Sequence, residues 1–188
     1  MKNLTGVFAI FMLLLIGLAC SGSFGDETTK ANVLVDDANK FVTTANESVT
    51  KVGTKADELE KKIDAIKGDA DLKSARDFGK ELMPLYDSMS ENFKKASDKF
   101  DEASKVKIQE KHKEYLETKA KEMKLRSEYA LELKKIPQAL IDSDGEKAFR
   151  DASGKIAENV NKMTKEAKEL SDKADKIQKD NPDVMKQN

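Results

Sequence analysis

Ala31-Asn32-Val33-Leu34-Val35-Asp36-Asp37-Ala38-Asn39-Lys40-Phe41-Val42-Thr43-Thr44-Ala45-Asn46-Glu47-Ser48-Val49 spaces its apolar residues by three and four. The spacing persists beyond the stretch. Val35, Val42, Val49, Ala56 and Ile63 recur every seven residues, and Ala31, Ala38, Ala45, Val52, Leu59 and Ile66 recur every seven between them. That is an a/d seam, which forms when one stripe of a helix is buried against another helix. It predicts a helix over about 28–67. Leu34 and Phe41 widen the stripe, which suits a bundle better than a two-stranded coil. Alanines in three successive heptads at one core position, Ala31, Ala38 and Ala45, let a neighbouring helix come close.

The same pattern continues toward the C-terminus. Gly68 is expected as a left-handed helix stop, with Asp69 or Asp71 opening the next helix, over 71–104. Its seam is Leu72, Gly79, Tyr86, Phe93 and Phe100 with Ala75, Leu82, Met89, Ala96 and Ala103. Large residues here face small ones in the first helix. Pro84 should kink it, since proline lacks an N–H and crowds the preceding turn. At 104–113 the register breaks, and the next seam is Leu116, Ala120, Met123, Ser127 and Ala130. Either the chain turns a corner there or one helix carries a skip. A third helix over 108–136 is expected to stop at Ile136-Pro137, because the residue before proline avoids helical backbone. Ser143-Asp144-Gly145-Glu146 reads as a capping box. A last helix over 144–180 carries Phe149, Ile156, Met163, Leu170 and Ile177, and ends at Asn181-Pro182 before a polar tail, 182–188. The fold class is all-α, an antiparallel bundle of long amphipathic helices over 28–181. It has four helices up-down-up-down, or three with one very long middle helix.

Toward the N-terminus the chemistry changes. Lys2 is followed by a run from Leu4 to Ala19 without a charge, and the chain's single cysteine, Cys20, comes next. A basic start, an apolar centre and a small residue before the cut make a signal peptide, residues 1–19. The run is short of the roughly 20 residues that span a bilayer. Ala19-Cys20-Ser21-Gly22-Ser23 resembles the lipobox of bacterial lipoproteins, with Gly17 where leucine is usual and Leu18 one place late. The resemblance covers only these first residues. It implies that the Cys20 thiol takes a diacylglycerol, that the peptide is cut before it, and that the new amine is acylated, palmitate being a usual chain. Several acyl chains anchor stably, since each buried CH₂ contributes about 0.8 kcal/mol. Residues 20–27 would be a short lipidated tether of at most about 3.5 Å per residue. The alternative is an ordinary secretory signal that leaves a protein with one odd thiol.

Composition narrows the rest. Of 188 residues, 169 remain after 1–19, enough for one domain. The formal charge is −1, with 34 basic and 35 acidic residues interleaved, which argues against nucleic acid as a partner. One cysteine allows no internal disulfide. His112, the only histidine, has Ile108, Gln109, Tyr115 and Leu116 around it on its helix face, so a metal or haem would need ligands from elsewhere. Asp142-Ser143-Asp144-Gly145-Glu146 has acidic residues like a calcium loop, but its glycine comes fourth rather than sixth. Tyr86, Phe93 and Phe100 at heptad spacing read as core rather than a ligand cavity. Asn46-Glu47-Ser48 is a glycosylation sequon, discounted in a bacterial lipoprotein. No nucleophile motif or phosphate-binding glycine loop is present. No enzyme activity, metal or cofactor is expected.

Two functions fit these residues. One is a membrane-anchored lipoprotein acting as a structural or protein-interaction component of the cell envelope, at the outer membrane or periplasmic face rather than the exterior. The other is a periplasmic carrier or chaperone-like protein that holds an apolar ligand or client between helices. The expected partners are the membrane, through the acyl chains on Cys20, and envelope proteins. If the corner near 106 exists, it lies at the same end as Cys20. Lys105, Lys107, Lys111 and Lys113, against Glu110 alone, would then stand near anionic headgroups.

Overall fold

Four long helices account for almost all of residues 26–182, which are the residues the computed structural model describes. They are α1 (Asp26–Asp64), α2 (Asp69–Ser104), α3 (Glu110–Asp142) and α4 (Glu146–Asp180). The segment read from the sequence as a signal peptide, 1–19, Cys20 and the tail beyond Pro182 lie outside the described residues. No strand occurs among the described residues, and none of their helices is long and apolar enough to cross a membrane.

The heptad seams become the core. Ala38, Val42, Ala45, Val52, Leu59 and Ile63 of α1 meet Ala75, Leu82, Tyr86, Met89, Phe93, Ala96, Phe100 and Ala103 of α2. The fully covered alanines of α1 leave room for the phenylalanines of α2, so large and small side chains interdigitate. All five residues of the third seam, Leu116, Ala120, Met123, Ser127 and Ala130, are buried. The packed interfaces join α1 to α2, α2 to α3 and α3 to α4. Pairs across the interfaces show that neighbours run antiparallel. Ser48 meets Ser88 and Lys55 meets Glu81 between α1 and α2. Arg76 reaches Leu140 and Ser97 reaches Ala120 between α2 and α3. Between α3 and α4, Asn159 meets Glu132 and Lys173 meets Glu114.

The corner at 105–109 is real, so the alternative of one unbroken middle helix does not hold. The backbone tightens at the end of α2, where Lys105 N donates to Glu102 O at 3.2 Å and Val106 N to Ala103 O at 3.2 Å. The out-of-phase seam follows from this turn: α3 starts afresh and aims a new face at α2.

Three helix boundaries differ from their sequence reading. α1 stops at Asp64, and Gly68 has φ −170°. It is the extended N-cap of α2 rather than a left-handed stop. The Asp71 carboxylate reaches back and accepts from the Lys67 N–H at 3.0 Å, which satisfies a free donor at the helix start. α3 does not end at Ile136. It continues through Pro137 to Asp142. The missing proline N–H deletes one ladder bond, but Pro137 is buried against Gly79, whose absent Cβ would lie 3.5 Å from Pro137 Cβ. Packing therefore outweighs the local preference, and α2 supplies a cap as well. Arg76 Nε donates to Leu140 O at 3.1 Å, and its Nη2 donates to Ser143 O. A guanidinium placed on the last carbonyls satisfies them and complements the negative end of the helix dipole. At the start of α4 the N-cap is Gly145, with no side-chain cap. The Ser143 hydroxyl turns back to Ala139 O instead, so it does not form the capping box. Pro84 lies on the exposed side of α2, and the helix continues through it.

Candidate functional site

Each residue singled out above has a defined place, except Cys20, which lies outside the described residues. His112 sits in the first turn of α3, half-buried, and desolvation holds its imidazole below the ordinary range. No three His, Cys, Asp or Glu side chains converge to hold a metal among the described residues. Asp142 accepts from Gln138 Nε2 at 2.7 Å, a bond along one helix and not part of a cation loop. Tyr86, Phe93 and Phe100 are plain core. Burial pushes the Tyr86 phenol far up, helped by nearby Tyr129. The lysines of the corner are largely neutralised: Lys105 pairs with Asp101 at 2.6 Å, Lys111 with Glu114 at 2.9 Å, and Lys113 with Glu117 at 3.9 Å. Of that group, only Lys107 has no acidic neighbour within ion-pair distance among the described residues.

Grooves open on the surface of the described residues, and two are lined by the helices that form the core. One, of about 410 Å³, lies between α1 and α2 around Phe78, with Lys62, Lys73 and Asp77 at its rim. The Lys55 and Lys62 ammoniums stand 4.8 and 5.4 Å from the Phe78 ring centre, close enough for cation–π attraction. The other, of about 570 Å³, lies between α2 and α3 over a floor of Ser97, Ala120 and Ser127. Charged side chains of both signs line it, including Lys94, Asp98, Lys121 and Glu128. Hydroxyls stitch the helices beneath it. Ser90 and Ser127 lie 2.9 Å apart, and Ser97 donates to Ala120 O at 2.8 Å. Small polar residues at heptad spacing thus hold α2 close to α3.

The most unusual chemistry is inside α3. Glu122 is a carboxylate with 1% of its side chain exposed, flanked by Lys119 at 20% and Arg126 at 13%. Lys119 Nζ donates to Glu122 Oε2 at 2.7 Å, and Arg126 donates to Oε1 through Nε at 2.8 Å and Nη2 at 2.6 Å. Offsets of three and four residues put all three on one face of the helix, and every carboxylate oxygen is satisfied. A lone buried carboxylate would carry a desolvation cost of several kcal/mol, which the two cations offset. The cluster holds a net charge of +1. Seven residues beyond Glu122, on the same side, the Tyr129 hydroxyl bonds to Thr164 of α4, and burial pushes its phenol up to about 12. At the seven-residue spacing of His112, Lys119 and Arg126 come Leu133 and Leu140, both core. One line of α3 therefore changes from polar to apolar halfway along.

Glu122 is saturated by its cations, and the buried Ser90, Ser97, Ser104 and Ser127 bond to backbone or to each other, while the Ser153 hydroxyl is covered without a hydrogen-bond partner. The sequence reading missed the cluster. Its signal was Lys119, Glu122 and Arg126 offset by three and four on a helix whose other inward residues are apolar. No protein-family model, curated protein or solved structure matches the chain.

Proposed function

We propose that the chain is a lipid-anchored scaffold of a bacterial cell envelope, held to a membrane by acyl chains on Cys20 and offering its helical bundle to envelope proteins. The observation that carries this reading is Ala19-Cys20-Ser21 at the end of a charge-free run, with no other cysteine in the chain. α1 begins at Asp26, six residues past Cys20, so the tether is short and the bundle would stand close to the bilayer. A scaffold is favoured over a carrier by how the interior is filled. Phe93, Phe100, Leu82, Leu116 and Leu133 occupy the core with almost no exposure. The exposed large hydrophobics, Val33 and Leu131, lie on different helices, and the charged grooves suit polar partners better than an apolar ligand.

The test is membrane fractionation of wild type and Cys20→Ser with intact-mass measurement. Wild type should sediment with membranes and carry a diacylglycerol mass. The variant should be released, or keep its uncut leader. Identical fractionation and mass for the two would end the anchor reading. Crosslinking in the native envelope followed by mass identification should then capture a recurrent protein partner. Recovery of co-purifying apolar lipid instead would favour the carrier.

A further inference from the structure

α4 is seated in two different ways along its length. Its first half places Phe149, Ile156 and Val160 in the continuous core, with Met163 packed against it. Its second half buries Ala167, Ala174 and Ile177, and these stand apart from that core. The surface they cover follows from two pairs. Tyr129 bonds to Thr164, and Glu114 pairs with Lys173 at 3.5 Å. Between Glu114 and Tyr129 on the same side of α3 come Thr118 and Glu122, both buried, four and eight residues on. The antiparallel pairing sets Glu122 opposite roughly residues 165–171 at about 1.5 Å per residue in both helices. The second half of α4 therefore lies over the Lys119–Glu122–Arg126 cluster, and its inward apolar side chains are Ala167, Ala174 and Ile177, with Leu170 half-buried between them.

This seat is poor. Two of these four side chains are alanines, which bury little apolar area, and the surface beneath the middle of the segment is charged. Water reaching the cluster would relieve the desolvation of three charged groups. The Lys173–Glu114 pair that closes the far end is exposed at Lys173 and only half-buried at Glu114 and adds little. Segments with few apolar contacts are the ones that open while the rest of a domain stays folded.

We propose that residues 164–180 form a detachable strap over the Lys119–Glu122–Arg126 cluster, opening as one unit while α1, α2, α3 and the first half of α4 remain folded. In the open form α3 presents Glu122, Lys119 and Arg126 to solvent, and the strap presents Ala167, Ala174 and Ile177. The bundle would thus alternate between a closed surface and one carrying a fresh charged face.

Hydrogen exchange read by mass spectrometry on the full chain in detergent micelles tests this. Peptides covering 164–180 should exchange as a block, at least tenfold faster than those covering 147–162. In Lys119→Met/Glu122→Leu/Arg126→Met the block should slow toward the rate of the first half. Brief trypsin treatment of wild type gives a second measurement that needs no variant. The first cuts should fall at Lys165, Lys168, Lys173 or Lys176, leaving the preceding chain folded. Uniform exchange along α4 would overturn the proposal. So would a rise confined to the last turn, as ordinary fraying gives, a block unaffected by the triple variant, or first cuts in another helix.

Discussion

Replacing Glu122 by leucine removes the acceptor from two cations that are largely covered. Lys119 and Arg126 would be left with 20% and 13% of their side chains in water and no carboxylate between them. Breaking a buried ion pair by deleting one partner costs about 3–5 kcal/mol. Both survivors have long stems and can swing part of the way to solvent, and leucine fills the vacated volume. A loss of about 2–4 kcal/mol is therefore expected. At about 2–4 °C per kcal/mol for a chain of this size, Tm should fall by roughly 5–15 °C. The triple variant Lys119→Met/Glu122→Leu/Arg126→Met removes the desolvation cost along with the attraction. It should be neutral or more stable by about 1–4 kcal/mol. Urea unfolding followed by circular dichroism gives both numbers. The reasoning is refuted if Glu122→Leu matches wild type, or if the triple variant loses as much as the single one.

Three further outcomes follow from the geometry. A Cβ at Gly79 would sit 3.5 Å from Pro137 Cβ, an ordinary contact, so Gly79→Ala should gain up to about 1 kcal/mol from helix propensity. Gly79→Leu should lose about 1–3 kcal/mol by overpacking, and thermal melts of the pair will show the opposite signs. Arg76→Ala strips the cap from Leu140 O and Ser143 O; a loss of about 2 kcal/mol, with faster amide exchange over 138–142, is expected. Asp77 is held down to about 2 by hydrogen bonds and charge from Lys73 and Lys80. Its carboxyl should titrate near that value by NMR. Because the folded pKa is the lower one, its stabilising contribution is complete above about pH 4 and lost as pH falls through 2. A midpoint near that of a free aspartate, about 3.9, would show that the two lysines do not hold it.

The seams were legible because burial of an apolar stripe is a local, periodic signal. Val42, Leu59, Phe93 and Leu116 all reached the core they predicted. The helix ends were less legible, because what decides them is distant. Pro137 reads as a stop until Gly79, 58 positions earlier, provides the space that keeps it helical. The cap on α3 comes from Arg76, which no window around Ser143 contains. Glu122 escaped for another reason. Periodicity finds the apolar side of α3 that faces α2, through Leu116, Met123 and Ala130. The side that faces α4 runs through Thr118, Glu122 and Tyr129, whose polar atoms hide a buried stripe. The reverse holds for Cys20, whose reading rests on sequence alone.

The extensive interfaces among the described residues join helices that follow one another in the chain, and this bears on how the protein comes into being. Such a topology has low contact order, so no long loop must close before native contacts begin to stabilise the chain. The α1–α2 hairpin can zip from the turn at 65–68 while α3 is still being made. Each later helix then finds its partner already in place beside it. A polypeptide of this kind should refold in microseconds to milliseconds, and without a disulfide to form or an end-to-end closure to wait for, its assembly can keep pace with delivery of the chain from its N-terminus.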